Sequence, residues 1–206
     1  MNALELQSVT KSFSGLRVIS DLSLTVGAGE RRLIIGPNGA GKTTLFNLIT
    51  GEYPVDGGSI QLLGKNVTRV AGRRRAHLGL ARTYQIITLF PDDSLRDNVA
   101  LALLGLSALR WNPLSRLDRQ KRLMQEASEI LATVGLDGLA DKPLRETAYG
   151  EQRRVEIAMA LAQKSRVLLL DEPFAGLSTH ERADIATLLA SIPREVTIVM
   201  IEHDMD

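Results

Sequence analysis

Apolar and polar residues alternate over residues 4–9, 22–26 and 59–63, each stretch bounded by glycine or aspartate. A period of two turns one face of a strand to a core and the other to water, so the pattern predicts half-exposed strands in an antiparallel sheet at one edge of the protein. Residues 33–35, 167–170 and 196–201 are instead almost continuously apolar. Such runs suit parallel strands covered by helices on both faces. Residues 91–154 have a different texture: Leu123, Ala127, Ile130, Leu131 and Val134 recur at helical spacing, and Gly135 stands where a left-handed cap belongs. Trp111 and Pro113 interrupt the chain ahead of that helix, which predicts an insertion of at least two helices.

The octapeptide GPNGAGKT, residues 36–43, directly follows Leu33, Ile34 and Ile35 and fits the phosphate-binding pattern G-x-x-x-x-G-K-[ST] at every constrained position. A triphosphate is held by backbone N–H groups converging on its oxygens, and the small residues Gly36, Gly39, Ala40 and Gly41 let the backbone come that close. The expected nucleotide-binding set is Gly36, Asn38, Gly39, Ala40, Gly41, Lys42, Thr43 and Thr44. Lys42 supplies a positive charge to the β and γ phosphates, and Thr43 offers its hydroxyl to Mg²⁺. A helix over residues 43–50, closed by Gly51, would point its positive end at the anion. A second signal, VLLLDEP at residues 167–173, is a buried strand whose carboxyl end carries Asp171 and Glu172 to the edge where doubly wound sheets bind ligands. Asp171 suits the Mg²⁺ shell; Glu172 suits a base that takes a proton from the attacking water or polarises it. The expected fold is α/β, a P-loop NTPase core with an antiparallel β edge and an inserted α-helical subdomain. The core falls to residues 1–90 and 155–206, the helical part to residues 91–154.

Composition narrows the class further. With 206 residues, 44% hydrophobic and 24% charged, the chain has the makings of an ordinary globular protein with a substantial core. The absence of cysteine excludes a disulfide framework and a thiolate metal site, and fits a reducing compartment. The N-terminus lacks the apolar stretch of a signal peptide, and the longest apolar run, residues 99–106, falls short of the roughly 18 residues a membrane helix needs. A net charge of +1 gives no global attraction to nucleic acid. Arg73, Arg74 and Arg75 have no aromatic neighbours for base stacking and read as a solvated face.

In order along the chain, the P-loop, Gln85, the stretch AYGEQRR at residues 148–154, VLLLDEP and the pair Glu202 and His203 resemble the ATP-binding subunits of ABC transporters, over nearly the whole length. The resemblance implies that Phe13 stacks on adenine and that Gln85 lines Mg²⁺ and the γ phosphate. It makes Ala148, Tyr149, Gly150 and Glu151 the signature, residues 175–178 the D-loop and His203 the switch histidine. Glu172, Gln85 and His203 then form the catalytic set, and Thr43, Gln85 and Asp171 the metal set, with ATP and Mg²⁺ as ligands. The tracts GPNGAGKTTLFNLITG, ARTYQ, WNPLSR, AYGEQRRVEIAMALA and DEPFAGLS look like the ATPase subunits of branched-chain amino acid importers.

The chain departs from the wider family in two loops. Where most members carry LSGGQ, residues 147–151 read TAYGE, a departure the branched-chain subgroup shares. Ala148 has no hydroxyl for the γ phosphate, which leaves the backbone N–H groups around Gly150 and the dipole of the helix through Val155, Ala158 and Ala162. Ser178 replaces the usual D-loop aspartate and, with Thr179, His180 and Glu181, also spells a capping box; a cap and a place at a dimer interface both stay open. The chain ends three residues after His203, where the family continues through further strand and helix, as expected of a shortened chain.

The implied machine pairs this chain with a second ATP-binding subunit, identical or paralogous, around two ATP molecules. It rides on two transmembrane permease subunits at the cytoplasmic face of the membrane, is served indirectly by a periplasmic or extracellular solute-binding protein, and involves no nucleic acid. Residues 86–95 and the helical insertion would carry the motion to the permeases. The alternative is a soluble ABC-type ATPase with no permease. The cargo is not legible, because solute touches the permease and binding protein rather than this subunit.

Overall fold

A computed structural model describes residues 1–84, 89–107 and 116–202. Strands β1 (Asn2–Phe13) and β2 (Leu16–Gly27) pair antiparallel through the two-residue turn Ser14-Gly15, whose φ angles of 47° and 86° give the left-handed conformation that matches strand twist. Each strand is 12 residues long, far beyond the alternating stretches at 4–9 and 22–26. The excess was hidden by bulges: Ser8 and Asp21 sit at φ 47° and 49°, and the register shifts on both sides of Val9. Each bulge flips the inside–outside phase, so the strand continues while its alternation does not. β4 (Gly57–Leu62) pairs with the other edge of β1, and β5 (Lys65–Asn66) completes the order β2-β1-β4-β5.

The second sheet is parallel, in the order β3-β8-β7-β6, from β3 (Arg31–Ile35), β6 (Leu80–Arg82), β7 (Val167–Asp171) and β8 (Thr197–Glu202). β7 is buried at every residue, as its continuous apolar run requires. β3 is not: among the described residues it is an edge strand, and Leu33 and Ile35 are 39% and 48% exposed. Its apolar composition therefore does not mean cover on both faces. Helix α1 (Lys42–Thr50) joins the two sheets in one core, where Leu45, Phe46, Leu48 and Ile49 meet Leu4, Leu6 and Ile60 from the antiparallel sheet and Leu169, Val199 and Ile201 from the parallel one.

Gly51 ends α1 at φ 80° in the left-handed conformation, as its position predicts. The last carbonyls of α1 are also met by a residue that reads as surface. Arg75, on the short helix α2 (Gly72–His77), is 2% exposed, and its Nη1 donates to the carbonyls of Leu48 and Ile49, both at 2.7 Å. Its Nε donates to the Val70 carbonyl at 2.8 Å. The expectation of a solvated basic run thus holds for Arg73 and Arg74, which are exposed, and fails for Arg75. Burial pushes its guanidinium pKa down, yet the charge stays, spread over four backbone oxygens including that of Thr68. Arg75→Ala is expected to lower stability by about 2–3 kcal/mol, because buried acceptors lose a charged donor. Thermal unfolding measures it, and a midpoint within about 2 °C of the parent would reject the assignment.

A second compact unit is helical. It comprises Thr83–Lys164 and Phe174–Ser191 in their described parts, while Met1–Arg82, Ser165–Pro173 and the chain from Ile192 through β8 form the first. Its core gathers Leu95, Val99 and Leu103 of α3 (Leu95–Leu106), Ala127 and Leu131 of α4 (Lys121–Thr133), and Val155, Ala158 and Ala162 of α5 (Tyr149–Ala162). Gly135 follows α4 at φ 69°, as the cap reading anticipates. The unit also takes in α6 (Thr179–Ser191), which follows β7 along the chain. Trp111 and Pro113 lie outside the described residues. Among those described, no helix is long and apolar enough to cross a membrane.

Candidate nucleotide-binding site

The loop between β3 and α1 has the backbone its sequence calls for. Gly39 and Gly41 stand at φ 80° and 84°, a region that costs a side-chain-bearing residue about 1 kcal/mol or more. Gly41, the N-cap of α1, has a second constraint: a Cβ there would come within 3.1 Å of both Val18 and Ile19 and 3.2 Å of the Val18 carbonyl. The first turn of α1 contains no acidic residue, so nothing on the helix offsets its positive end. Lys42 folds back over the loop, its ammonium donating to the carbonyls of Gly36 and of Pro37, the latter at 3.0 Å. Asn38, Gly39, Ala40 and Thr43 are exposed, and Gly36 and Thr44 half-buried. The result is an open cradle of small residues and amides carrying one positive charge.

Strand register brings the acidic pair to the same edge. Ile35, the residue before Gly36, lies opposite Glu202 on β8, and Asp171 at the end of β7 lies opposite Ile201. The carboxyl ends of β3, β8 and β7 are therefore level, and two strand spacings of about 4.8 Å separate the P-loop strand from the Asp171 strand. Asp171 is 1% exposed. Glu172 follows at φ 48°, 5% exposed, and donates its N–H to the Ile201 carbonyl at 3.0 Å. A non-glycine residue in this region is strained by about 1–3 kcal/mol and persists only where its surroundings hold it, as β8 does here.

A residue that sequence reasoning missed completes this edge. Arg82, the last residue of β6, presents Nη2 to Asp171 Oδ2 at 2.6 Å and Nη1 to Asn47 Oδ1 at 2.5 Å, with its guanidinium 5.5 Å from the Phe46 ring. The Arg82 and Asp171 side chains are 4% and 1% exposed, so this is a buried ion pair tying the end of β7 to α1. Its only signal was the ARTYQ tract, which carried Gln85 but gave no reason to single out the arginine. The oxygen donors present fit Mg²⁺: the Thr43 hydroxyl and the Asp171 carboxylate are hard ligands of the kind that ion takes beside substrate phosphates. A carboxylate has about four lone-pair positions, so the guanidinium on Oδ2 does not preclude a magnesium-bound water.

Phe13, at the end of β1, is 38% exposed and meets a partner that the sequence did not offer: Tyr53, with ring centroids 5.3 Å apart and planes at 72°. The Lys11 ammonium stands 5.3 Å from the Phe13 centroid and is tied to Asp56 at 2.8 Å. The aromatic edge expected of one residue is thus a two-ring corner.

In the helical unit, Ala148 is the N-cap of α5, and its N–H donates to Glu151 Oε2 at 2.7 Å; Tyr149 is exposed and Gly150 buried. Arg153 is 1% exposed: Nη1 meets Glu156 Oε2 at 2.6 Å and the carbonyl of Tyr84, one residue before Gln85, at 2.9 Å. Burial pushes the Glu156 carboxyl up, against the pull of Arg153. The capping box of α6 is present, with Ser178 N–H on Glu181 Oε2 at 2.9 Å and Glu181 N–H on Ser178 Oγ at 3.4 Å. Gln85 and His203 lie outside the described residues, as do Ile86, Ile87 and Thr88.

Comparison with known proteins agrees with this geometry. The sequence profile of the ABC transporter family matches residues 19–175. The high-affinity branched-chain amino acid transport ATP-binding protein BraF of Pseudomonas aeruginosa is 37% identical over 210 residues, covering 98% of this chain and 82% of that protein. The Fe(3+) ions import ATP-binding protein FbpC of Pseudomonas fluorescens is 41% identical over 209 residues, covering 99% of this chain but 55% of that protein. A crystal structure of the ADP conformation of an ATP-binding cassette of an ABC transporter superposes with a TM-score of 0.85 at 29% identity, covering 100% of this chain and 83% of the other. The level strand ends, the glycine cradle and the profile match lead to one conclusion: this chain belongs to the ABC transporter family, as its ATP-binding, ATP-hydrolysing cassette.

Proposed function

We propose that this cassette powers the import of branched-chain or other hydrophobic amino acids, bound peripherally to two transmembrane permease subunits at the cytoplasmic face of the membrane. The observation that carries the reading is the loop pair of a cleaving site at one sheet edge, a glycine cradle at the end of β3 and the Asp171-Glu172 pair at the end of β7. The cargo class rests on likeness to BraF, together with the TAYGE signature in place of LSGGQ.

In this reading the amides of residues 36–43 bind the triphosphate, Lys42 neutralises its β and γ oxygens, and Phe13 supports the adenine with Tyr53 beside it. Thr43 and Asp171, with Gln85 as the third member of that set, would hold Mg²⁺, which would supply charge neutralisation for the triphosphate. Glu172 orients the attacking water and accepts its proton, and His203 contacts the γ phosphate. Ala148, Tyr149, Gly150 and Glu151 of a second cassette close the site, Gly150 through its N–H at the start of α5. Hydrolysis removes the γ contacts, the paired cassettes part, and the permeases change state; a periplasmic solute-binding protein supplies the cargo.

Hydrolysis measured against protein concentration tests the pairing: the Mg²⁺-dependent rate is expected to rise more than linearly, and strict proportionality would reject a site shared between two copies. Iron import is the second reading, favoured by the 41% identity to FbpC. In membranes containing the cassette and its permeases, ATP-dependent uptake of leucine is expected; uptake of Fe³⁺ instead would transfer the cargo to that reading.

A further inference from the structure

The amide that the proposed function gives to the γ phosphate already has an acceptor within the chain. Gly150 N–H donates to Glu181 Oε1 at 3.2 Å. The other oxygen of the same carboxylate, Oε2, receives the Ser178 hydroxyl at 2.6 Å and the Ser178 N–H at 2.9 Å. One carboxylate therefore bridges the second residue of α5 and the loop of residues 175–178. The close approach depends on glycine, since a Cβ on Gly150 would stand 2.6 Å from Oε1 and 3.0 Å from Cδ. Gly176 repeats the arrangement nearby, at φ 74°, where a Cβ would lie 3.3 Å from the Tyr149 ring. The hydrogen bonds from Ser178 and Gly150 hold the Glu181 carboxyl below the ordinary carboxylate range, so it is an anion at neutral pH.

An amide N–H has one strong hydrogen bond to give, and two anions cannot share it without repulsion. Glu181 thus satisfies the α5 N-terminus as a phosphate oxygen would, and an arriving phosphate must displace it. Because Oε2 is bound twice to Ser178, displacement pulls on the D-loop.

We infer that Glu181 is a positioning residue that competes with the γ phosphate for the Gly150 amide and, through Ser178, reports phosphate arrival to residues 175–178. The inference rests on the proposed role of Gly150 and says something that role does not: in the absence of phosphate the signature is closed by the chain's own carboxylate, and the Ser178 cap is one arm of a linkage.

Steady-state hydrolysis of Mg-ATP, at a protein concentration where the specific rate has saturated, separates the two. Glu181→Gln keeps the shape and an acceptor oxygen but removes the charge; KM is expected to fall roughly tenfold, the factor one hydrogen bond to a charged group supplies. Ser178→Ala is expected to alter kcat in the parent and to have no further effect in Glu181→Gln, since an amide has one acceptor oxygen and cannot bridge Gly150 and Ser178 at once. If KM stays at the parent value in Glu181→Gln while the unfolding midpoint drops, Glu181 is only a helix cap and the inference fails. Additive effects of the two substitutions would reject the linkage. A parent chain that binds no ATP would overturn the proposed function, and the inference with it; a parent that turns over while Glu181→Gln changes nothing overturns the inference alone.

Discussion

Glu172→Gln is expected to lower Mg²⁺-dependent ATP hydrolysis by about 10²–10⁴-fold, the contribution of one positioned general base, while leaving ATP binding intact. The two halves of that expectation come from separate features. In the proposed function nucleotide binding rests on the amides and glycine geometry of residues 36–43 and on Lys42, none of which involves Glu172. Its backbone is set independently of its charge: the residue is held at φ 48° by a hydrogen bond to Ile201 and by the end of β7. Glutamine has the same length and branching, so the fold around it persists and only the ability to take a proton is lost. Single-turnover hydrolysis beside equilibrium ATP binding makes the comparison. A variant that hydrolyses within about tenfold of the parent would remove Glu172 from the role of base. A variant that no longer binds ATP would show the strained turn to be shaping the phosphate cradle instead.

The parts of this fold that were legible share a property: their information is local. The P-loop is a contiguous string in which Gly39 and Gly41 are required by backbone angles at their own positions, and β7 is marked by four apolar residues in a row that run directly into Asp171 and Glu172. What stayed hidden is set by pairing across the chain. β1 and β2 run twice as far as their alternation because bulges at Ser8 and Asp21 reset its phase, and only the partner strand reveals that pairing continues. Arg75 sits in a run of three arginines with nothing in its composition to separate it from Arg73 and Arg74; its distinction is that α1 ends beneath it. Ser178 to Glu181 spelled a capping box in the sequence, but the second contact of the same carboxylate, to Gly150, joins residues 31 positions apart. The exposed side of β3 belongs to the same class, since what packs over a strand is set by segments elsewhere in the chain, not by its own apolarity.

Arg82 is the residue where that non-local information has its largest energetic consequence. Arg82→Met keeps the length and the apolar contact with Phe46 while removing the guanidinium that stands 2.6 Å from Asp171. Breaking a buried ion pair from one side destabilises by about 3–5 kcal/mol, because the remaining charge is held in a place from which water is largely excluded. That is a large share of the roughly 5–15 kcal/mol by which a domain is stable. The contact with Glu52, at 3.5 Å and with the acid 40% exposed, contributes little to this sum. Urea unfolding of Arg82→Met, Asp171→Asn and the double variant closes a cycle whose sign is the test. The double variant is expected to be more stable than the sum of the single losses allows, with a coupling of about 1–3 kcal/mol. Additive losses would mean that the two side chains are neighbours and not partners. Function follows from the same geometry: if Arg82 fixes the carboxylate that Mg²⁺ requires, Arg82→Met raises the Mg²⁺ concentration needed for half-maximal hydrolysis even under conditions where the variant is fully folded. An unchanged Mg²⁺ requirement would confine the pair to stability.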